Sequence, residues 1–584
     1  YNAATDPNHS QLGFPLGCES CHGDKAQTWE DAEFSHDTFV LNGRHKLAAC
    51  SDCHVDGSTG ISSACMSCHL SDYQNTTDPV RSKFFGDMQA AVTEISTPLV
   101  FFTLELNRID DDALEARLNE DAALARFRPL LERLRAMKPH QLSDELERFL
   151  HDQSVVGAAA WNRLFDETLA GLSFDVDGEA LPLEATLNLL TEQDRSRREA
   201  GARALAAVFA EHLPLFARIT NTLAKEKEIE DRWRKLPEPQ SSRHLANHVE
   251  PEVVQALRDA VVAAYPRLSH RYYALKAKWM GLDKLQVWDR NAPLPQEDDR
   301  KIPWPEARDM VLDAYSGFDP RMAEIAKPFF DKGWIDAPVK PGKAPGAFAH
   351  PTVTEVHPYV LLNYLGKQRD VMTLAHELGH GVHQVLAAGQ GELLSSTPLT
   401  LAETASVFGE MLTFQKLLDG APDTETRRIL LAGKVEDMIN TVVRQIAFYD
   451  FEGKLHAARR EGELTPDDIN LIWMSVQGES LGPAFEFMEG YETFWGYIPH
   501  FVHSPFYVYA YAFGDGLVNA LYAVYREGDP DFAEKYFAML RAGGSKHHKE
   551  LLKPFGLDAS DPQFWNRGLN LISSMIDELE ELEG

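Results

Sequence analysis

His376-Glu377-Leu378-Gly379-His380 sets two imidazoles and a carboxylate within one short stretch. On a helix, positions i and i+4 share a face, so His376 and His380 can reach the same ion. Glu377 projects beside them, within reach of a water held at that ion. The flanks are those of a buried helix: Val371, Met372, Leu374, Ala375 and Leu378 are apolar, and Gly379 and Gly381 permit close packing. The plainer alternative is an ordinary helix that carries two histidines.

A catalytic zinc takes three protein ligands and keeps one position open. Downstream, Leu401-Ala402-Glu403-Thr404-Ala405-Ser406-Val407-Phe408-Gly409-Glu410 reads as helical, with Glu403 and Glu410 two turns apart. Glu403 is the expected third ligand, returned through Gly391 and Pro398. Glu410 is placed to hold a ligand imidazole in its metal-binding tautomer. His383 is either a similar support or a neighbour on that face, and solvated helix polarity is the competing reading for both.

These residues resemble the oligoendopeptidase F branch of the thimet oligopeptidase family of zinc metallopeptidases. So do Phe101-Phe102-Thr103-Leu104-Glu105-Leu106-Asn107-Arg108, Ala160-Trp161-Asn162-Arg163-Leu164-Phe165, Lys227-Glu228-Ile229-Glu230-Asp231-Arg232-Trp233, Tyr359-Val360-Leu361-Leu362-Asn363-Tyr364 and the segment from Glu489 to Gly516. The resemblance runs from about residue 80 to the C-terminus. It implies a mainly α, two-lobed metallopeptidase with a deep substrate channel. It also implies one catalytic zinc, short peptides as substrates, and a bacterial cytoplasmic setting.

The expected chemistry is hydrolysis by a zinc-activated water whose pKa falls towards about 7, with Glu377 as general base. The oxyanion needs donors. His500-Phe501-Val502-His503-Ser504-Pro505-Phe506-Tyr507-Val508-Tyr509-Ala510-Tyr511 is dense in imidazole and phenol. The resemblance places a histidine and tyrosines of this segment over the metal. By position His503 and Tyr511 are favoured, with His500, Tyr507 and Tyr509 as substitutes; packing alone is the alternative for each tyrosine. Tyr359 to Leu365 is predicted as a short strand whose edge could bind extended peptide backbone, or as a core strand. Pro338 to Pro345 reads as a surface loop.

The first 79 residues differ in kind. All six cysteines lie there, in Cys18-Glu19-Ser20-Cys21-His22, Cys50-Ser51-Asp52-Cys53-His54 and Cys65-Met66-Ser67-Cys68-His69, three haem c attachment motifs. Each adjacent histidine would be a proximal iron ligand. His9, His36 and His45 remain, enough to give three haems two axial imidazoles each. Zinc is the competing reading, but it gives no reason for a histidine after every second cysteine. The segment resembles part of a multihaem cytochrome c.

Tyr1-Asn2-Ala3-Ala4-Thr5-Asp6-Pro7 recurs loosely as Tyr73-Gln74-Asn75-Thr76-Thr77-Asp78-Pro79, after which the peptidase-like sequence starts abruptly. The expected domains are therefore 1–79 and 80–584, with the N-terminal helical stretch of the peptidase family missing. A natural fusion and a chimaera joined near residue 79 both account for this; the chimaera is the favoured expectation. It predicts uncovered apolar surface on the helices after Phe84 and little apolar contact between the two parts. The functional alternative is a multihaem electron-transfer protein with an inactive or peptide-binding helical body.

The chain has 584 residues and a net charge of −32, which disfavours nucleic acid and anionic membranes as partners. No apolar run reaches the about eighteen residues of a membrane span. Haem c implies attachment outside the cytoplasmic membrane and a redox partner, in conflict with the cytoplasmic expectation for the peptidase. Apolar and charged residues alternate at helical spacing through Asp112 to Leu134, Glu199 to Arg232 and Glu252 to Lys278. Glu250-Pro251-Glu252 and Thr465-Pro466-Asp467-Asp468 read as helix starts.

Overall fold

Acidic and hydroxyl side chains begin many of the helices. Asp194 accepts from the Ser196 amide and opens a 40-residue helix, and Asp423 accepts from Thr426 to open one of 38 residues. Thr465 and Asp468 form the reciprocal capping box expected of their spacing, and Pro251 sits in the first turn of Pro251–Ala264. The computed structural model describes residues 76–294, 301–340, 343 and 346–583. Within them the protein is mainly helical.

The elements that matter below are α1 (Pro79–Ser96), α2 (Arg195–Arg234), α3 (Gln368–Ala387), α4 (Ser406–Asp419), α5 (Thr424–Glu461) and α6 (Tyr509–Arg526). Two of the periodic stretches are broken by local chemistry. Asp121 takes the Ala123 and Leu124 amides and restarts the chain after Asp111–Glu120. Pro266, in the turn Tyr265–Arg267, separates Pro251–Ala264 from Ser269–Trp279. One apolar core joins the long helices: α3 packs on α4, and α5 on α6.

Few strands occur. Phe174–Val176 (β1) and Glu179–Leu181 (β2) form a hairpin. Ile335–Asp336 (β3), Phe348–His350 (β4) and Tyr359–Leu361 (β5) form a sheet in the order β3-β5-β4, parallel on the first side and antiparallel on the second. The strand predicted from Tyr359 therefore ends at Leu361 and lies in the middle of its sheet. The outer strands are β3 and β4, not β5.

The chain divides into two compact units, at Asp87 and Met88. That point falls inside α1, which has no buried residue. Val80, Phe84, Met88, Val92 and Ile95 recur at helical spacing and are all exposed, as are Leu99 and Phe102 beyond them. The haem motifs, with Cys18, Cys21, His22, Cys50, Cys53, His54, Cys65, Cys68 and His69, and also His9, His36 and His45, lie outside the described residues. So does the apolar contact expected to be sparse between residues 1–79 and the rest. Among the described residues no helix is long and apolar enough to cross a membrane.

Candidate active site

Helix α3 carries the pentapeptide on its buried side. His376 and His380, one turn apart, have ring centroids 5.0 Å from each other. Glu403 reaches both: its Oε2 lies 3.3 Å from His376 Nε2 and 3.5 Å from His380 Nε2. Glu403 follows the short helix Leu399–Ala402, and the Ser406 hydroxyl donates to its Oε2 at 2.7 Å.

Two glycines let that carboxylate in. A Cβ on Gly379 would stand 2.4 Å from the Ala405 carbonyl oxygen and 2.6 Å from Ser406 Cα. A Cβ on Gly514, in α6, would stand 2.9 Å from Cβ and Cγ of Glu403. The Glu403 segment thus passes between α3 and α6 at contact distance, and side chains on either helix would push it out.

The donor set suits a cation. A tetrahedral zinc with ligand distances of about 2.0–2.2 Å sets its ligand atoms about 3.3–3.6 Å apart. The separations of 3.3 and 3.5 Å from Glu403 to the two imidazoles match this. His376 lies between two carboxylates, Glu403 at Nε2 and Glu410 at Nδ1, the latter at 3.2 Å. Against its burial, they push its pKa up to about 10, so the site attracts positive charge. Burial holds His380 down to about 4, leaving its ring neutral with a free lone pair. Despite burial, His376 and Ser406 help hold Glu403 ionised at about 2.

Glu410 is itself anchored. Lys434 Nζ, from α5, donates to its Oε1 at 2.5 Å. Lys434 and His376 keep the carboxylate at about 2 although it is buried. His383 is buried, and its Nε2 lies 3.3 Å from the Thr397 hydroxyl, which ties α3 to the chain leading to Glu403.

Glu377 is 7% exposed. Burial pushes its pKa up to about 7; Glu403 adds to this, while His376 and the Ala349 amide favour the carboxylate. Ala349 belongs to β4, and its carbonyl accepts from Gln384 Nε2 at 3.3 Å, so this outer strand is tied to α3 beside the glutamate.

The aromatic segment divides. His500 Nε2 lies 3.2 Å from the Tyr511 hydroxyl, and the Tyr507 ring is 5.3 Å from that of Tyr511. Burial, Tyr507 and Glu403 all raise the Tyr511 pKa, which keeps the phenol a hydrogen-bond donor. His503 points elsewhere: its Nε2 is 2.7 Å from Asp166 Oδ1 and its ring meets the edge of Phe165. Tyr509 is fully buried, accepting from Asn247 at 2.9 Å, and serves packing.

Phe506, between these residues, has a φ of 59°, and its amide donates to Glu452 Oε1 at 2.8 Å. Glu452 is buried on α5, and burial pushes its pKa up to about 8. The folded state therefore keeps a proton that the unfolded chain releases above about 4.5, so this group's stability is lost as pH rises from there through about 8. Glu452→Gln keeps the acceptor and removes the titration. Its melting temperature should fall less than that of the wild type between about pH 6 and pH 9. Parallel melting curves for the two proteins would refute the assignment.

Sequence reasoning missed Lys434, Asp166 and Gly514. Only Lys434 left a signal: a lysine set among Leu430, Leu431, Ala432 and Val435 needs a buried partner.

An HExxH helix, a returning glutamate and a braced imidazole within a helical core define a metallopeptidase. The chain belongs to peptidase family M3, whose pattern matches residues 188–571, and an oligopeptidase F pattern matches residues 105–174. It is 27% identical to oligopeptidase PepF of Bacillus subtilis over 84% of this chain and 74% of that one. Group B oligopeptidase PepB of Streptococcus agalactiae is 26% identical, covering 93% and 91%. The fold matches the crystal structure of oligoendopeptidase-F from Enterococcus faecium with a TM-score of 0.72 at 23% identity, over 88% of this chain and 89% of that one.

Proposed function

We propose that this metalloendopeptidase hydrolyses short oligopeptides, with His376, His380 and Glu403 holding one zinc ion and Glu377 acting as general base. The observation that carries this is the meeting of the three ligand atoms within 4.8 Å of one another beside a buried carboxylate. A zinc ion in that place would supply Lewis acidity to the scissile carbonyl and to the attacking water. Glu377 takes the proton of that water and returns it to the leaving amine. Tyr511, backed by His500, donates to the developing oxyanion. His503, held by Asp166, orients the segment from which Tyr511 departs. Glu410 and Lys434 fix the His376 ring. Edge strand β4 pairs with the substrate backbone, which recognises extended peptides without reading their side chains.

A quenched fluorescent peptide should be cut between its labels, and a chelator should abolish cleavage until zinc is restored. Cleavage that survives complete metal removal would defeat the proposal. The electron-transfer alternative has the three C-x-x-C-H motifs behind it, and these lie outside the described residues. The family match and the His/Glu cluster favour hydrolysis as the activity of the described body.

A further inference from the structure

One peptide group in the aromatic segment is gripped from both sides. The Pro505 carbonyl accepts from Arg243 Nε at 3.2 Å. Across the same peptide bond, the Phe506 amide donates to Glu452 Oε1 at 2.8 Å. The turn around this group is closed by the Tyr507 amide, which donates to the Ser504 carbonyl at 3.0 Å. Proline at the second position and a φ of 59° at the third are the pattern of a type II turn, whose third position favours glycine. Here that position holds a fully buried phenylalanine. Turning the Pro505–Phe506 peptide over gives a type I turn, which keeps the Ser504–Tyr507 bond and returns Phe506 to the negative φ that L residues prefer. It also leaves the Arg243 guanidinium, which can only donate, facing an N–H. The local chain thus favours the turned-over form, and the two hydrogen bonds from outside the turn oppose it.

The elements behind this clamp also hold the rest of the segment. Arg243 lies on the short helix Ser241–Asn247, and its guanidinium covers the Tyr507 ring, 5.7 Å from the centroid. On the same helix, Asn247 Nδ2 donates to the Tyr509 hydroxyl at 2.9 Å, and His244 Nδ1 lies 3.2 Å from it. The helix thus meets residues 505, 507 and 509 in turn, and Tyr511 is left to face His500. The Asn247 carbonyl lies 3.5 Å from the Thr400 hydroxyl, in the short helix that leads to Glu403. Glu452 belongs to α5, which also carries Lys434.

We propose that Arg243 and Glu452 are positioning residues for hydrolysis: by holding the Pro505–Phe506 peptide in its strained orientation, they keep the Tyr511 hydroxyl where the oxyanion forms. This rests on the hydrolytic reading above. Their part is geometric, and the proton transfer stays with Glu377. Once the clamp is released, the turn relaxes and the 3.2 Å contact between His500 and Tyr511 shifts. A displacement of about 1 Å at such a donor costs about 10²-fold in rate. The donor acts on the developing oxyanion rather than on the bound peptide, so the loss belongs in kcat.

The test uses the full zinc-loaded chain and one quenched peptide, offered to the wild type, R243M, E452L and E452Q. R243M keeps an apolar stem over Tyr507 without the donor, and E452L fills the volume without the acceptor. Each should lose about ten-fold or more in kcat, with KM within about two-fold and zinc near one ion per chain. E452Q retains an oxygen for the Phe506 amide and should restore kcat to within about two-fold of the wild type. A merely structural role would instead lower the melting temperature and leave kcat per zinc-loaded chain untouched. Wild-type kcat in R243M or in E452L would overturn the proposal. So would an E452Q as slow as E452L, since acceptance by residue 452 would then be irrelevant. A loss confined to KM would also overturn it, by making these residues substrate contacts. If E452L does not fold, R243M, altered at a half-buried side chain, decides alone. A wild type that leaves the peptide intact defeats the hydrolytic reading and this proposal with it, whereas equal cleavage by all four proteins defeats the proposal alone.

Discussion

Glu377→Gln should retain its zinc and lose turnover by about 10²–10⁴-fold. The amide has the shape of the carboxylate but cannot accept the proton that the attacking water must give up. At 7% exposure, few waters are available to replace it as base. The side chain is not among the three atoms that meet as a ligand set, so metal content should stay near one ion per chain. Elemental analysis and a quenched-peptide assay on the same sample read both quantities. A variant within a few-fold of wild-type kcat would remove Glu377 from the proton transfer. Loss of the metal would instead make it a ligand or a structural support.

Gly379→Ala should be as damaging, for a reason with no chemistry in it. The added methyl would meet the Ala405 carbonyl oxygen at 2.4 Å and Ser406 Cα at 2.6 Å, and neither is a side chain that can swing away. Helices α3 and α4 must separate locally, and overpacking of this kind costs about 1–3 kcal/mol. Glu403 lies two residues before Ala405, so the same displacement carries it from His376 and His380. The melting temperature should fall by several degrees and zinc should be lost to a weak chelator. Gly317→Ala, in the helix Trp304–Phe318 where an added Cβ meets nothing within 4 Å, is the control and should be neutral or slightly stabilising. A Gly379→Ala protein with normal melting and metal content would show that the two helices tolerate separation.

What could be read in the sequence follows from how local each relation is. The His376–His380 face is fixed by helical spacing alone, and Glu403 follows from the need for a third ligand. Lys434 reaches Glu410 from another helix, a relation that no local pattern encodes. The aromatic segment shows the limit sharply. His500–His503 is a single turn, after which Phe506 adopts a left-handed backbone. Which histidine then faces Tyr511 depends on that reversal, and the structure places His500 there and turns His503 to Asp166. Likewise Tyr359 reads correctly as the start of a strand, but its central position depends on Ile335–Asp336 pairing from more than twenty residues upstream.

Helix α5 is continuous from Thr424 to Glu461, and it carries Lys434, Arg444 and Glu452. One rod therefore sets the brace of the histidine, the Arg444 guanidinium stacked over the Phe448 ring and the acceptor for the Phe506 loop. Their mutual positions amount to a phase relation. A substitution between them changes one contact, whereas inserting or deleting a single residue turns everything downstream by about 100° and shifts it by about 1.5 Å. Over this stretch, relatives are free to drift in composition but are bound to keep length, and a gap between the Lys434 and Glu452 positions would mark a protein in which these three tasks have come apart.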